Sequence, residues 1–395
     1  MTDYLTQLPA ELFITICELV YEAKQGPYLA FVSRAFVPLA RRLAFRKVEV
    51  KQYDHLQALC EVIMASMPVA ECIEELNLDM SESSQDGGVP RTAILTSAFR
   101  RLTNLYKLGV TSSSRLAKLA VSPAPKSLPS LSALDINDPL DGWANPFDPR
   151  NLRHLDNYPL LDNLSLDVDR AADSLGRYRP DPERDPWFGD FEWVGLSGPL
   201  SDNPAVSDLL ACFGMICQLS LHDESPSDTA TLPAVLDQVP EPDYVFVLSL
   251  RQTASDPAPL IRALRPYERL EAIEFRHGTW SNAMLPMLQA LPSLEDLFFF
   301  TGSGLSTDDL RRMMSGATKL EHLKRIYVNV LWWDDDDEVF HGWSSTFSLN
   351  GVMALLAVAD EAGVELEGTA IEVARDEQEH LKTCAACRAS AGRRG

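Results

Sequence analysis

The chain has little that would point to a membrane, a disulfide-stabilised domain or a nucleic acid. No run of about 18 apolar residues occurs, so no transmembrane helix is expected. Its seven cysteines are scattered and odd in number, unlike a disulfide framework. The 35 Lys and Arg against 57 Asp and Glu leave a net charge of −22, whereas neutralising the phosphates of a nucleic acid needs clustered Lys and Arg. We therefore expect no membrane and no nucleic acid, and a cytoplasmic or nuclear location.

Motifs for catalysis and metal binding are also scarce. There is no Gly-x-Ser-x-Gly turn, no phosphate-binding Gly-x-Gly-x-x-Gly and no Walker loop. His380, Cys384 and Cys387 have zinc-ligand side chains, but a closed site needs a fourth ligand and none lies nearby in sequence. The acidic run Asp334 to Glu338 is more typical of a solvated loop than of a metal site. We predict no catalytic residue, no metal and no cofactor, and regard a hydrolase or metal-dependent enzyme as the least favoured interpretation.

What the sequence does contain is one short pattern that occurs eleven times. In each copy an apolar residue is followed by a second apolar residue three positions later and a third two positions after that. The last two apolar positions alternate as a half-buried strand requires, and stretches such as His55 to Met64 and Leu310 to Met314 between copies have helical periodicity. One strand and one helix cannot bury their own apolar faces, so we expect the units to stack into a parallel sheet covered by helices. The copies are Phe45-Val48-Val50, Ile73-Leu76-Leu78, Leu105-Leu108-Val110, Leu131-Leu134-Ile136, Leu161-Leu164-Leu166, Phe191-Val194-Leu196, Ile216-Leu219-Leu221, Val245-Leu248-Leu250, Leu270-Ile273-Phe275, Leu294-Leu297-Phe299 and Leu323-Ile326-Val328.

Over roughly residues 45–350 this pattern resembles the leucine-rich repeat family, in its longer helical class. The resemblance implies an α/β solenoid with a parallel concave sheet and outer helices. The Asn or Cys that commonly follows the strand is missing from several units, as Ser81, Pro139 and Asp169 illustrate. We predict a solenoid over residues 47–370, an irregular loop at 169–190, and a C-terminal tail at 371–395. An ordinary α/β domain with coincidental spacing is the alternative.

The first 46 residues predict a separate module of three short helices. Leu8-Pro9 followed by Glu11 suits a helix start, because Pro is tolerated in the first turn and an early acid favours the helix dipole. Gly26-Pro27 interrupts the pattern, and helical spacing of apolar residues then continues to Phe45. Such a module is too small to bury a core of its own, so we expect it to pack partly on the first repeat and partly on another protein.

The same residues resemble the F-box. The correspondence lies in Leu8-Pro9-x-Glu11-Leu12, Ile16, Leu19, Val32-Ser33-Arg34-x-Phe36 and Leu39-Ala40. The resemblance implies that this module binds a Skp-type adaptor, and through it a cullin, while the repeats capture a protein substrate of the ubiquitin ligase. Ser33 and Phe36 depart from the family, where Cys and Trp are frequent. Alternatively, the helices only cap the solenoid of a repeat scaffold. The implied adaptor-binding residues are Leu8, Pro9, Glu11, Leu12, Ile16, Leu19, Val32, Ser33 and Phe36.

Residues between and after the last two apolar positions of each unit are expected on the concave face. In early units these are acidic and polar, namely Glu75, Asn77, Asp79, Ala133, Asp135, Asn137, Asn163, Ser165 and Asp167. In later units they include arginine and aromatic residues, which are enriched at the centres of protein interfaces. An alternative is that the Trp332-Trp333 segment covers Phe298 and Phe300. The predicted substrate-binding residues are Arg251, Arg276, Phe298, Phe300, Arg325 and Tyr327.

Overall fold

The protein forms two compact units, Met1–Tyr178 and Arg179–Gly395. The computed structural model describes residues 15, 37–80, 91–111, 116, 120, 128–137, 155, 158–167, 190–198, 200, 206, 209–210, 213–223, 232–251, 258–276, 280, 282–300, 305–329, 333–334, 339–340 and 349–383. Within these ranges, every helix is too short or too polar to cross a membrane.

Five parallel strands pair in chain order among the described residues of the first unit. Their register aligns buried side chains into rows; one row contains Leu76, Leu108, Leu134 and Leu164. Residues between the rows stay at least partly open to solvent in β2, where Asn77 is exposed. The strands are β1 (Lys47–Val50), β2 (Glu75–Asp79), β3 (Lys107–Thr111), β4 (Ala133–Asn137) and β5 (Asn163–Asp167). The helices are α1 (Val37–Arg46), α2 (Tyr53–Ala65), α3 (Met67–Ala70) and α4 (Thr92–Phe99).

In the part of the second unit that the structure describes, seven parallel strands are again paired in chain order. A further pair, β12 (Trp333–Asp334) and β13 (Val339–Phe340), is antiparallel. The parallel strands are β6 (Phe191–Gly198), β7 (Ile216–Asp223), β8 (Val247–Arg251), β9 (Ala272–Arg276), β10 (Asp296–Phe300), β11 (Arg325–Asn329) and β14 (Glu365–Glu367). The helices are α5 (Leu232–Leu236), α6 (Ala258–Ala263), α7 (Leu285–Gln289), α8 (Thr307–Met314), α9 (Leu349–Ala362) and α10 (Thr369–Thr383), with 3₁₀ turns at Pro242–Tyr244, Asn282–Met284 and Gly316–Thr318.

The core of the second unit lies beneath alternate residues of these strands. Phe275 and Phe299 are fully buried and stack with their ring centres 5.3 Å apart, and Trp280 meets both rings edge-on. Such aromatic pairs add about 0.5–1.5 kcal/mol to the free energy of unfolding beyond their buried area. Ser306 caps α8 in a capping box with Asp309, as its position before the helix predicts.

The predicted α/β class, with parallel strands and helices between them, is confirmed. The eleven triplets lie at strands β1–β11, and of their second and third apolar positions Val48 alone is not fully buried. The short strand β14 was not predicted. Helix α10 crosses the predicted boundary at residue 370, and its Ile371 and Ala374 are buried. Of the predicted loop 169–190, Asp190 is the one residue that the structure describes.

Candidate functional site

A cluster of arginine and aromatic side chains lies on one face of the second unit's sheet. On β9, β10 and β11 the residues of this face alternate with fully buried ones and keep part of their surface in solvent. We call this set the open face: Arg251, Glu274, Arg276, Asp296, Phe298, Phe300, Arg325, Tyr327 and Asn329. All six predicted substrate-binding residues belong to it.

Arg276 and Phe300 form the centre of the cluster. The guanidinium carbon of Arg276 lies 4.5 Å from the centre of the Phe300 ring, within the range of a cation–π contact. Tyr327 stands on the other side, its ring centre 6.2 Å from that of Phe300 and 5.9 Å from that of Phe298. Three aromatic rings and one cation therefore form a continuous surface across β9, β10 and β11.

A second cation–π contact joins Arg325 to Phe298, at 5.6 Å from guanidinium carbon to ring centre. The same guanidinium donates a hydrogen bond of 2.6 Å to Asp296, which lies opposite it in the register. This hydrogen bond to the Asp296 carboxylate raises the pKa of Arg325 and outweighs the opposing effect of burial. Arg325 is thereby fixed in one orientation as a permanent cation.

Glu274 holds Arg276 in a similar way, at 3.1 Å between carboxylate oxygen and guanidinium nitrogen. The Arg276 side chain keeps 37% of its surface exposed, so the contact stabilises its orientation more than the fold. Side chains ordered before binding lose less conformational entropy when a partner arrives. The cluster is therefore suited to recognition of another molecule through charge and aromatic surface.

Arg251 lies one strand away, opposite Arg276 in the register of β8 and β9. It is half-buried. Glu274 and Asp296, the acids that pair with the two clustered arginines, were not included among the predicted site residues. Their roles depend on the register between strands, which a single sequence does not display.

Other predicted residues fall outside what the structure describes. This applies to Cys384, Cys387 and Trp332. The alternative that the Trp332-Trp333 segment covers Phe298 and Phe300 therefore stays untested. No group of three or more His, Cys, Asp or Glu suited to a metal occurs in the described ranges. The predicted adaptor-binding residues also lie outside: Leu8, Pro9, Glu11, Leu12, Ile16, Leu19, Val32, Ser33 and Phe36.

The corresponding face of the first unit also carries lysines, whereas the residues singled out from the sequence are acidic and polar. Lys47 forms an ion pair of 2.9 Å with Glu75, and Tyr106 donates a hydrogen bond to the same carboxylate. Burial raises the pKa of Glu75, but the hydrogen bonds from Tyr106 and Lys47 outweigh it, so the pKa is lowered. A shallow cavity of about 410 Å³ on this face is lined by Lys47 and Glu75, and also by Lys107 and Gly109. The last two were missed although they occupy the same positions of β3 that Glu75 and Asn77 occupy on β2.

Comparison of the chain with models of protein families and with curated proteins found no match.

Proposed function

We propose that the protein is the substrate-recognition subunit of a Skp–cullin–F-box type ubiquitin ligase. The observation that carries the proposal is the ordered cluster of Arg276, Phe300 and Tyr327, which presents partly exposed aromatic surface between charged side chains. Aromatic residues and arginine supply most of the binding energy at protein interfaces. A protein substrate binds this face, with Arg251, Arg276, Phe298, Phe300, Arg325 and Tyr327 as its anchors.

The sheet that carries this face is proposed to be a leucine-rich-repeat solenoid of about eleven units. In support, the eleven triplets of the sequence lie at parallel strands that pair in chain order within each unit, with the apolar positions of neighbouring triplets in register. Stacking of this kind suits a receptor, because every unit adds one more row of open side chains without changing the core.

The N-terminal residues 1–46 are proposed to be the F-box module. Leu8, Pro9, Glu11, Leu12, Ile16, Leu19, Val32, Ser33 and Phe36 bind the Skp-type adaptor, and a cullin joins through that adaptor. The protein performs no bond chemistry itself and acts in the cytoplasm or nucleus. It holds the substrate near the ubiquitin-charged enzyme, which raises the effective concentration of the two reactants.

A pull-down of the full chain with a Skp-type adaptor tests the proposal. We expect the wild-type chain to bind, and the double variant Leu8→Asp, Pro9→Ala to lose binding because a charge enters the apolar contact. Leu160→Asp is the matched control, since Leu160 is 56% exposed in the first unit. Adaptor binding that survives in the double variant would rule out the docking assignment.

One observation favours a different function, a repeat scaffold whose N-terminal helices only cap the sheet. Ala40 and Leu43 of α1 are buried, and Arg46 donates a hydrogen bond of 3.0 Å to Glu74, just before β2. These contacts are what a cap would make. A wild-type chain that retains its substrate but binds no adaptor would identify the scaffold.

A further inference from the structure

Arg251 differs from the other two arginines of the open face. Arg276 and Arg325 each contact a carboxylate and an aromatic ring. In the part of the chain that the structure describes, Arg251 has no hydrogen bond, ion pair or ring contact. It is nevertheless half-buried, which makes an unpaired guanidinium costly. A charge in this position is satisfied best by a group from outside the chain.

The strand next to Arg251 carries a second arginine at the same level of the sheet. Arg276 is its partner in the parallel register, so two guanidinium groups start from backbones about 4.8 Å apart. Like charges directly opposite each other on adjacent strands are destabilising. Glu274, two residues before Arg276 in β9, pairs with Arg276, whereas Arg251 has no such acid among the described residues. An anion between the two arginines would remove their repulsion.

We infer that the open face selects a peptide segment with one anionic side chain, a carboxylate or a phosphate, which binds at Arg251 and Arg276. A large apolar side chain of the same segment packs on Phe300, Phe298 and Tyr327. This inference rests on the open face being the substrate site of the proposed function, and it is independent of the adaptor.

The geometry also gives the spacing of the two groups. Arg251 lies on β8 and Phe300 on β10, two strands apart, which is about 10 Å. An extended peptide advances about 3.3 Å per residue, so roughly three positions span this distance when the peptide crosses the strands. The expected pattern is an acidic residue, two further residues and then a large apolar one.

Charge on the rest of the face favours a single anion over a polyanion. Asp296 and Glu274 flank the aromatic cluster, and Glu367 of β14 is a neighbour of Tyr327 in the register. These carboxylates would repel a nucleic-acid backbone, whose phosphates cannot avoid them. A peptide with one acidic group reaches Arg251 and places uncharged residues elsewhere.

Fluorescence anisotropy with labelled ten-residue peptides and the full chain tests the inference. The probes carry glutamate, phosphoserine or serine three positions before a leucine, and a fourth replaces the leucine of the glutamate peptide by serine. We expect the glutamate or phosphoserine peptide to bind, and each serine replacement to weaken binding about tenfold or more. A preference between glutamate and phosphoserine identifies the source of the anion, and added salt lowers the affinity in either case.

Variants of Arg251 test the anion site, and Phe300→Ala tests whether the open face binds the peptide at all. Arg251→Glu and Arg251→Gln are both expected to weaken binding about tenfold, whereas Arg262→Glu, on an exposed position of α6, leaves it unchanged. If Phe300→Ala weakens binding but both Arg251 variants match Arg262→Glu, the anion site is wrong and the face remains. If Phe300→Ala also has no effect, the face itself is wrong. Failure of every acidic peptide to bind overturns the inference as well.

Discussion

The Arg276 guanidinium lies 4.5 Å above the centre of the Phe300 ring, on the neighbouring strand, while its edge contacts the Glu274 carboxylate at 3.1 Å. Glu274 thus orients Arg276, and Arg276 packs on Phe300, while all three side chains stay partly exposed. The same arrangement is repeated by Arg325 with Phe298 and Asp296. Two arginines are held in fixed orientations by contacts that leave their charge available to a partner.

The stacking of Arg276 on Phe300 can be measured with a double-mutant cycle. Arg276→Ala, Phe300→Ala and the double variant are expected to give a coupling free energy of about 0.5–1 kcal/mol in urea unfolding, because the contact is partly exposed. The pair Arg276→Ala and Phe246→Ala is the control, since Phe246 stacks instead under Arg269. A coupling for Arg276 and Phe300 no larger than the control would contradict the stacking.

Adjacent residues of β10 should respond very differently to the same truncation. Phe299 is fully buried against Phe275 and Trp280, so Phe299→Ala is expected to lower the free energy of unfolding by about 3–5 kcal/mol. Phe300→Ala removes a partly exposed ring and should cost about 1 kcal/mol. Chemical unfolding of the two variants measures this difference. Equal losses would mean that Phe300 belongs to the core and is not on an open face.

The sequence could predict the buried residues of a strand, because successive side chains along a strand alternate between its two faces. The pattern predicts Leu297 and Phe299 as core, and both are buried. Strand β14 could not be predicted from it, since Leu366 is its one apolar residue and its place depends on pairing with β11. Periodicity says nothing about such a pairing.

The candidate site was predictable as a set of residues but not as a set of contacts. Arg276 and Phe300 stand out by residue type and by position in the alternating pattern. Their contact, and the ion pair of Arg325 with Asp296, depend on the register of strands about 24 to 29 residues apart in sequence and on side-chain rotamers. Gly109 was overlooked for the same reason. A Cβ at this position would collide with the Asn77 side chain, and the register that brings the two residues together is not visible in the sequence.

Gly109 of β3 and Gly368, which follows β14, should differ in how far a methyl group can be accommodated. At Gly368 the backbone has φ of +97°, and a Cβ would lie 2.5 Å from the carbonyl oxygen of Val328. Gly368→Ala is therefore expected to lower the free energy of unfolding by about 2 kcal/mol or more. A second substitution cannot relieve the clash, because the contacted atom belongs to the backbone. At Gly109 a Cβ would lie 2.7 Å from the Asn77 side-chain oxygen, and that side chain can move.

Thermal unfolding of three variants checks this difference. Gly109→Ala should cost less than Gly368→Ala, and Asn77→Ala combined with Gly109→Ala should recover most of the loss. If the double variant were as unstable as the sum of the two single ones, the clash with Asn77 would not be the cause.

The hydrogen bond between Tyr106 and Glu75 predicts a stability that depends on pH in two directions. The pKa of Glu75 is lowered in the folded chain, so its contribution is present above its ordinary value of 4.5 and is lost as pH falls through the lower folded value. The hydrogen bond to Glu75 raises the pKa of Tyr106 to about 12, so that contribution is present below pH 10 and is lost as pH rises towards 12.

We expect the free energies of unfolding of the wild-type chain and of Tyr106→Phe to differ by about 1 kcal/mol at pH 7, a modest value because Tyr106 is 37% exposed. Measured in urea from pH 3 to 11, this difference should shrink at both ends. Tyr244→Phe, at a tyrosine of 38% exposure in the second unit, is the control for the loss of a similarly exposed hydroxyl. A difference that stays constant across this range would show that the Tyr106 hydroxyl does not act through the Glu75 carboxylate.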